Sequence, residues 1–190
     1  NGCQGDAATT IVVINPKPAI NDTTLTICNS GNFDATPTDG IHGVVPAGTN
    51  YDWNIQSSTG GITGATDGNG ATITGTLGNT TNIIQTVTYA VLPDYSGCIG
   101  GLFLVHVNVT PDPDIDDMTA NVCSSDAFTV TPVNGTNGIV PAGTTYTWGV
   151  PLITGGITGG AASIGTNTNI SGTLSNPTNT VQTATYTVTP

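Results

Sequence analysis

The sequence predicts an all-β chain built as two tandem β-sandwich modules, and three observations carry that reading. The second half copies the first at a displacement of 95 residues: Cys3 recurs as Cys98, Cys28 as Cys123, Tyr51-Asp52-Trp53 as Tyr146-Thr147-Trp148, and Gly60–Gly64 as Gly155–Gly159. A repeat of that length marks a complete small domain rather than a solenoid unit. Among 190 residues, 26 are glycine and 12 proline, with Thr and Asn abundant, a mixture that suits short strands and tight turns and disfavours helices. Apolar residues alternate with a period of two in several segments, and no window shows helical spacing.

The phase of the repeat sets the domain boundaries. Further along it slips by two residues, so that Gly75-Thr76-Leu77 matches Gly172-Thr173-Leu174 and Thr88-Tyr89 matches Thr185-Tyr186. Asn1–Gly5 matches Ser96–Gly100, which follows the motif Thr88–Pro93, and the sequence ends on that same motif at Thr185–Pro190. Residues 1–16 are therefore expected to form the last strand of a preceding or neighbouring module. Residues 17–111 form a complete first module, and residues 112–190 a second module lacking its own last strand. The linkers Asn15-Pro16-Lys17-Pro18 and Thr110-Pro111-Asp112-Pro113 are stiffened by their prolines.

Within the first module, strands are expected near Thr24–Cys28 and Asn32–Pro37, followed by a loop holding Pro46-Ala47-Gly48. Asn50–Gln56 alternates with Tyr51, Trp53 and Ile55 on one face. Gly60–Gly64 reads as a turn and Ala71–Leu77 as a strand. Gln85–Leu92 places Val87, Tyr89 and Val91 together, and Leu102–Thr110 places Phe103, Val105, Val107 and Val109 inward. About seven strands in each module without helices describe a Greek-key, immunoglobulin-like β-sandwich. Trp53 and Tyr89 are expected to pack across its two sheets, with Trp53→Ala costing about 3–5 kcal/mol. The segment Thr9–Asn15 contains Ile11-Val12-Val13-Ile14, apolar on both faces as a strand buried on both sides would be. Two origins account for its place: an arbitrary division of a long array, or donation of this strand to the open second module of another copy, which would build a filament.

The series Tyr-x-Trp, Gly-x-Leu-x-Asn, Thr-Tyr-x-Val-x-Pro, Gly-Cys-x-Gly and Val-x-Val-x-Pro-x-Pro resembles the PKD-like, immunoglobulin-like repeats of Bacteroidetes surface proteins. Those repeats occur in adhesins and gliding-associated proteins secreted by the type IX route. The resemblance covers both modules and implies a structural or adhesive role at the cell surface or outside the cell. It brings no active-site residues.

Charge removes several function classes. One Lys, no Arg, twelve Asp and no Glu give a formal charge of −11. Such a chain has no surface to neutralise phosphates, so nucleic acid is not an expected partner. An anionic membrane would repel it, and no apolar run approaches the ~20 residues needed for a spanning helix. No leader sequence is visible, which, with the expectation of export, suggests an internal portion of a longer precursor. Expected partners are other copies of the chain or adjacent repeats, with surface glycans or proteins as the alternative. The loops Ser57–Gly64 and Asp67–Ala71 are the candidate contact points for that alternative.

The four cysteines lack zinc-ligand spacing, and an exported chain favours disulfides. Pairing by repeat suggests Cys28 with Cys98, leaving Cys3 and Cys123 with partners outside these residues. The opposite ends of a Greek-key sandwich instead permit a bond from one module's base to the next module's top, and free thiols are the third alternative. Asp112, Asp114, Asp116 and Asp117 are candidate calcium ligands, although the matching first linker keeps only one acid, Asp22. No cofactor is required. Thr23, within Asp22-Thr23-Thr24, is a candidate O-glycosylation site by likeness to the Bacteroidetes pattern. His42 and His106 are isolated, with His106 read as an outward strand position. No Ser/His/Asp arrangement forms a catalytic motif, so the expected role is not enzymatic.

Overall fold

The computed structural model describes residues 2, 3 and 5–190, and no helix occurs among them. The chain gathers into two compact units, one running up to Gly78 and including Thr86–Asn108, the other comprising Asn79–Gln85 and Val109–Pro190. The first eleven strands are β1 (Ala19–Ile20), β2 (Thr23–Cys28), β3 (Gly31–Asp34), β4 (Gly43–Val44), β5 (Asn50–Ser58), β6 (Ile62–Thr63), β7 (Gly68–Gly70), β8 (Thr74–Asn79), β9 (Gln85–Tyr95), β10 (Cys98–Ile99) and β11 (Phe103–Thr110). The second repeat adds β12 (Asp114–Ile115), β13 (Ala127–Val130), β14 (Gly138–Ile139), β15 (Tyr146–Trp148), β16 (Leu152–Ile153), β17 (Ser163–Asn167), β18 (Ile170–Thr173), β19 (Ala184–Thr185) and β20 (Val188–Thr189).

In the first repeat, one sheet runs β2-β11-β9-β5-β7 with β10 paired to β9, and a second sheet runs β3-β8-β6. The strand order jumps along the sequence, as Greek-key connections require. Strand β11 alternates buried and half-buried residues along its whole length, so period two in sequence becomes two faces in space. Its inward side chains Phe103, Val105, Val107 and Val109 are at most 1% exposed. They share the interior with Tyr51, Val87, Tyr89 and Val91 from the same sheet and with Phe33 and Leu77 from the other. Each such burial contributes about 1.5–3 kcal/mol before chain entropy is charged against it.

Turn chemistry explains the ends of the strands. Ser96 and Gly97 have φ of 51° and 82°, both positive, as a type I′ turn between β9 and β10 demands. At Gly100 an added Cβ would stand 2.6 Å from the Pro18 carbonyl oxygen and 2.8 Å from Pro93 Cγ, so this crossing of backbone over proline admits only glycine. Between Ile55 and Ser57 the register of β5 with β9 shifts, and Asp67 Oδ1 accepts the Ile55 N–H at 2.7 Å, satisfying a donor near the irregularity.

Three expectations need correction. Gly60–Gly64 and Asp67–Ala71 are not simply loops: each contains a short strand, with β6 joined to β8 and β7 to β5. Trp53 does not face Tyr89 across the sandwich, because both lie on neighbouring strands of one sheet, where Trp53 pairs with Val91 and Ile55 with Tyr89. The ring that meets Tyr89 from the other sheet is Phe33, centroid to centroid 5.7 Å. Trp53 itself is only half-buried.

The second repeat uses the same materials less completely. Tyr146, Trp148 and Ile170 form its buried centre, with Phe128, Val130, Tyr186 and Val188 half-buried around it. Phe128 and Trp148 meet the Tyr186 ring at 5.7 and 6.4 Å, the latter edge-on. The counterpart of the long β9 is broken into β19 and β20, and residues 118–123, the repeat of β2, form no strand. In the first repeat, β2 lies at the sheet edge beside β11. Among the described residues, 118–123 pair with no strand.

Candidate functional site

The candidate site is the side of the second repeat where β11 lies in the first. Cross-strand bonds show how β11 sits: Thr86 Oγ1 donates to Asn108 Oδ1 at 2.8 Å, and Thr88 Oγ1 meets His106 Nδ1 at 3.0 Å. As the number rises on one strand it falls on the other, so β9 and β11 run antiparallel. Leu104 N donates to Asp22 Oδ1 at 2.7 Å, tying the start of β11 to the residue just before β2. His106 is thus half-buried and hydrogen-bonded, not a bare surface position.

A side-chain cage closes the far end of β11. Asn79 Oδ1 accepts the N–H of Thr81 at 2.9 Å and its hydroxyl at 2.8 Å, while Asn79 Nδ2 donates to the carbonyls of Ile83 and Val109, each at 2.8 Å. The second repeat rebuilds this cage around Asn176. Its Oδ1 accepts from Thr178 N at 2.9 Å and Oγ1 at 2.8 Å, and its Nδ2 donates to Thr180 O at 2.8 Å. The partner equivalent to Val109 is absent from that set, and Asn176 is half-buried where Asn79 is 2% exposed.

Core residues register the same difference. Tyr89 and Val91 are 2% and 0% exposed, whereas Tyr186 and Val188 are half-buried. Burial still raises the Tyr186 phenol above its ordinary pKa. The apolar segment of matching pattern lies elsewhere: Ile11, Val12, Val13 and Ile14 are 84, 76, 79 and 87% exposed and belong to no strand. Four adjacent apolar side chains left in water are an interaction surface or an aggregation hazard.

The other candidates do not gather into a site. Cys28 ends β2, beside the turn to Gly31 and Leu77, whereas Cys98 pairs with Tyr95 in the hairpin at the other end of β9. The structure does not bring them together; no disulfide joins Cys3, Cys28, Cys98 or Cys123 in it, and only Cys98 is half-buried. Among the described residues no three His, Cys, Asp or Glu side chains are placed to hold a metal ion. Asp112, Asp114, Asp116 and Asp117 are exposed, with Asp114 drawn into β12 against Ile139. Thr23 is half-buried at the start of β2, and the neighbouring Asp22 is engaged with Leu104. His42 Nδ1 accepts from Thr38 N at 2.8 Å and closes its own loop.

A shallow groove escaped the sequence reading because it required Trp53 to be accessible. It lies along β5, β7 and β9 and is lined by Asp52, Trp53, Asn54, Asn69, Leu92 and Leu102, among others. Trp148 Nε1 donates to Ala161 O at 3.1 Å, while Trp53 makes no such bond among the described residues. The sequence signal was the asymmetry after the tryptophans: Trp53-Asn54-Ile55 in one repeat, Trp148-Gly149-Val150 in the other.

No curated protein and no solved structure matched the chain in the comparisons made. A family model, that of the PKD-like domain, matches residues 25–113 and again 120–190. PKD-like domains have the immunoglobulin-like β-sandwich fold, are typically extracellular and are generally non-catalytic. With two matches that together span most of its length, the chain belongs to the PKD-like domain family.

Proposed function

We propose that the chain is a structural repeat unit of an extracellular adhesin, stalk or filament, joined to its neighbours by strand addition. The N-terminal segment around Thr9–Asn15 of one copy fills the place beside β19 and β20 of the next. The observation that carries this reading is a matched deficit and surplus. Tyr186 and Val188 lack the cover that Tyr89 and Val91 receive from β11, and Ile11–Ile14, the repeat of that covering strand, stands exposed. Backbone pairing supplies affinity in such additions, and alternate side chains entering the core supply specificity. A segment of the same pattern following residue 190 would close the place in cis. The bacterial surface setting follows from the motif resemblance, and the family's usual location outside the cell supports it.

Removing residues 1–16 tests the proposal. The 190-residue chain is expected to show a mass that grows with concentration in sedimentation velocity, and the shortened chain to stay monomeric. Continued polymerisation of the shortened chain would refute donation.

The groove beside Trp53 favours a second reading, an adhesion module that binds surface glycans or proteins. The Trp53 indole beside Asp52, Asn54 and Asn69 offers a stacking edge and polar partners of the kind sugars use. Glycan-array binding lost in Trp53→Ala would support it; an array without signal counts against it.

A further inference from the structure

Resting on the donated-strand reading above, we infer that the incoming strand is held in a single register and that Asn176 is the residue that sets it. Pattern alone does not choose a register, because Ile11-Val12-Val13-Ile14 is apolar on both faces and a slip of one residue would exchange them. The repeat does choose. Ala8, Thr10, Val12 and Ile14 stand where Phe103, Val105, Val107 and Val109 stand in β11, and Ile11 and Val13 stand where His106 and Asn108 stand. In the second repeat, Thr183 and Thr185 replace Thr86 and Thr88. The seated strand therefore places Ile11 opposite Thr185 and Val13 opposite Thr183, antiparallel to β19. Val12 and Ile14 point inward, and Thr10 lies against Tyr186.

The Asn176 cage supplies the stop. Its Nδ2 already donates to Thr180 O, as Asn79 Nδ2 does to Ile83 O, and its second N–H takes the direction that Asn79 uses for Val109 O. The carbonyl that repeats Val109 is that of Ile14. One hydrogen bond from a rigid, preformed loop then marks the end of the strand, just before Asn15-Pro16, and a slipped strand leaves it unmade. Strand seating also gives residues 118–123 the ladder that β2 finds on β11, so they should become β-structure on association.

The test uses the full chain and five single substitutions, with self-association followed by sedimentation velocity across a concentration series. Val12→Asp and Ile14→Asp should abolish association, since each buries a charge without a partner. Ile11→Asp and Val13→Asp should change affinity by less than about tenfold, because their counterparts His106 and Asn108 are polar. Asn176→Ala should weaken association about tenfold while leaving the thermal midpoint of the dilute, unassociated chain in place, a split that a merely structural asparagine would not give. Loss at Ile11 and Val13 with tolerance at Val12 and Ile14, or equal loss at all four, overturns the register and leaves donation standing. Tolerance at all four, or a wild-type chain that stays monomeric, overturns donation and the register with it. Unaltered affinity in Asn176→Ala overturns the clamp alone.

Discussion

Asn79 and Asn176 share a backbone loop and a hydrogen-bond pattern yet differ in what surrounds them. Asn79 is 2% exposed and donates twice through Nδ2. Its removal would strand the Val109 carbonyl inside the protein, while Ile83 O keeps the Thr81 hydroxyl as a donor, and Asn79→Ala should lower the unfolding free energy by about 1–3 kcal/mol in urea titration. Asn176→Ala in the unassociated chain should leave stability nearly unchanged, because its bonds are exposed and water can replace them. The tyrosines make a second residue-scale prediction. Tyr51, Tyr89, Tyr146 and Tyr186 all have phenol pKa values raised by burial, which disfavours the phenolate. A folded-state pKa above the unfolded value contributes stability that is complete below the unfolded pKa near 10 and disappears as pH climbs through the folded one. Unfolding should therefore set in above pH ~10, with phenolate absorbance at 295 nm rising together with the loss of β-sheet circular dichroism. Phenolate appearing well before the fold is lost would contradict it.

The two tryptophans show how the same element carries different weight in each repeat. Trp148 is 7% exposed, meets Tyr186 edge-on and hydrogen-bonds Ala161, so Trp148→Ala should cost about 3–5 kcal/mol. Trp53 is half-buried beneath Gly68, which has no side chain to clash with the ring, and Trp53→Ala should cost measurably less in the same denaturation assay. The sequence alone placed Trp53 in the core by alternation with Tyr51. Alternation reports the face a residue occupies and is silent on how far along the strand the opposing sheet extends. For the same reason the long strands β5, β9 and β11 were legible, while the two-residue ladders were not. Pairing of β1 with β4, for instance, depends on Gly43 at φ 110° approaching the backbone of Ala19, a tertiary contact with no periodic trace. Of the candidate site, the apolar run Ile11–Ile14 and its match to β11 were legible from the repeat, although the segment itself forms no strand. The half-used Asn176 donor was not, since it exists only as a difference between two folded loops.

At the scale of the whole molecule, charge bears on the proposed association of copies. With twelve Asp against a single Lys, each chain carries −11, so neighbours repel at low ionic strength and each fold is strained by its own field. Neither force holding the chain together, apolar burial or backbone pairing, depends on opposite charges. Added salt should thus act in one direction on both levels. The screening length falls from ~30 Å at 0.01 M to ~3 Å at 1 M, which removes repulsion between exposed carboxylates and leaves buried contacts nearly unchanged. Raising sodium chloride across that range should raise the thermal midpoint and strengthen self-association together. Residues 1–16 carry only Asp6 in their charge count, and the segment proposed to seat, Thr9–Asn15, carries none. The salt dependence of association should then report general repulsion between chains rather than a contact charge, and Asp6→Asn should shift it only slightly. Association that weakens with salt would instead require an ion pair at the contact, and Lys17 is the one lysine or arginine side chain to supply its positive half. Lys17→Gln, measured at low and high salt, separates the two cases: the rising trend should survive the substitution unchanged.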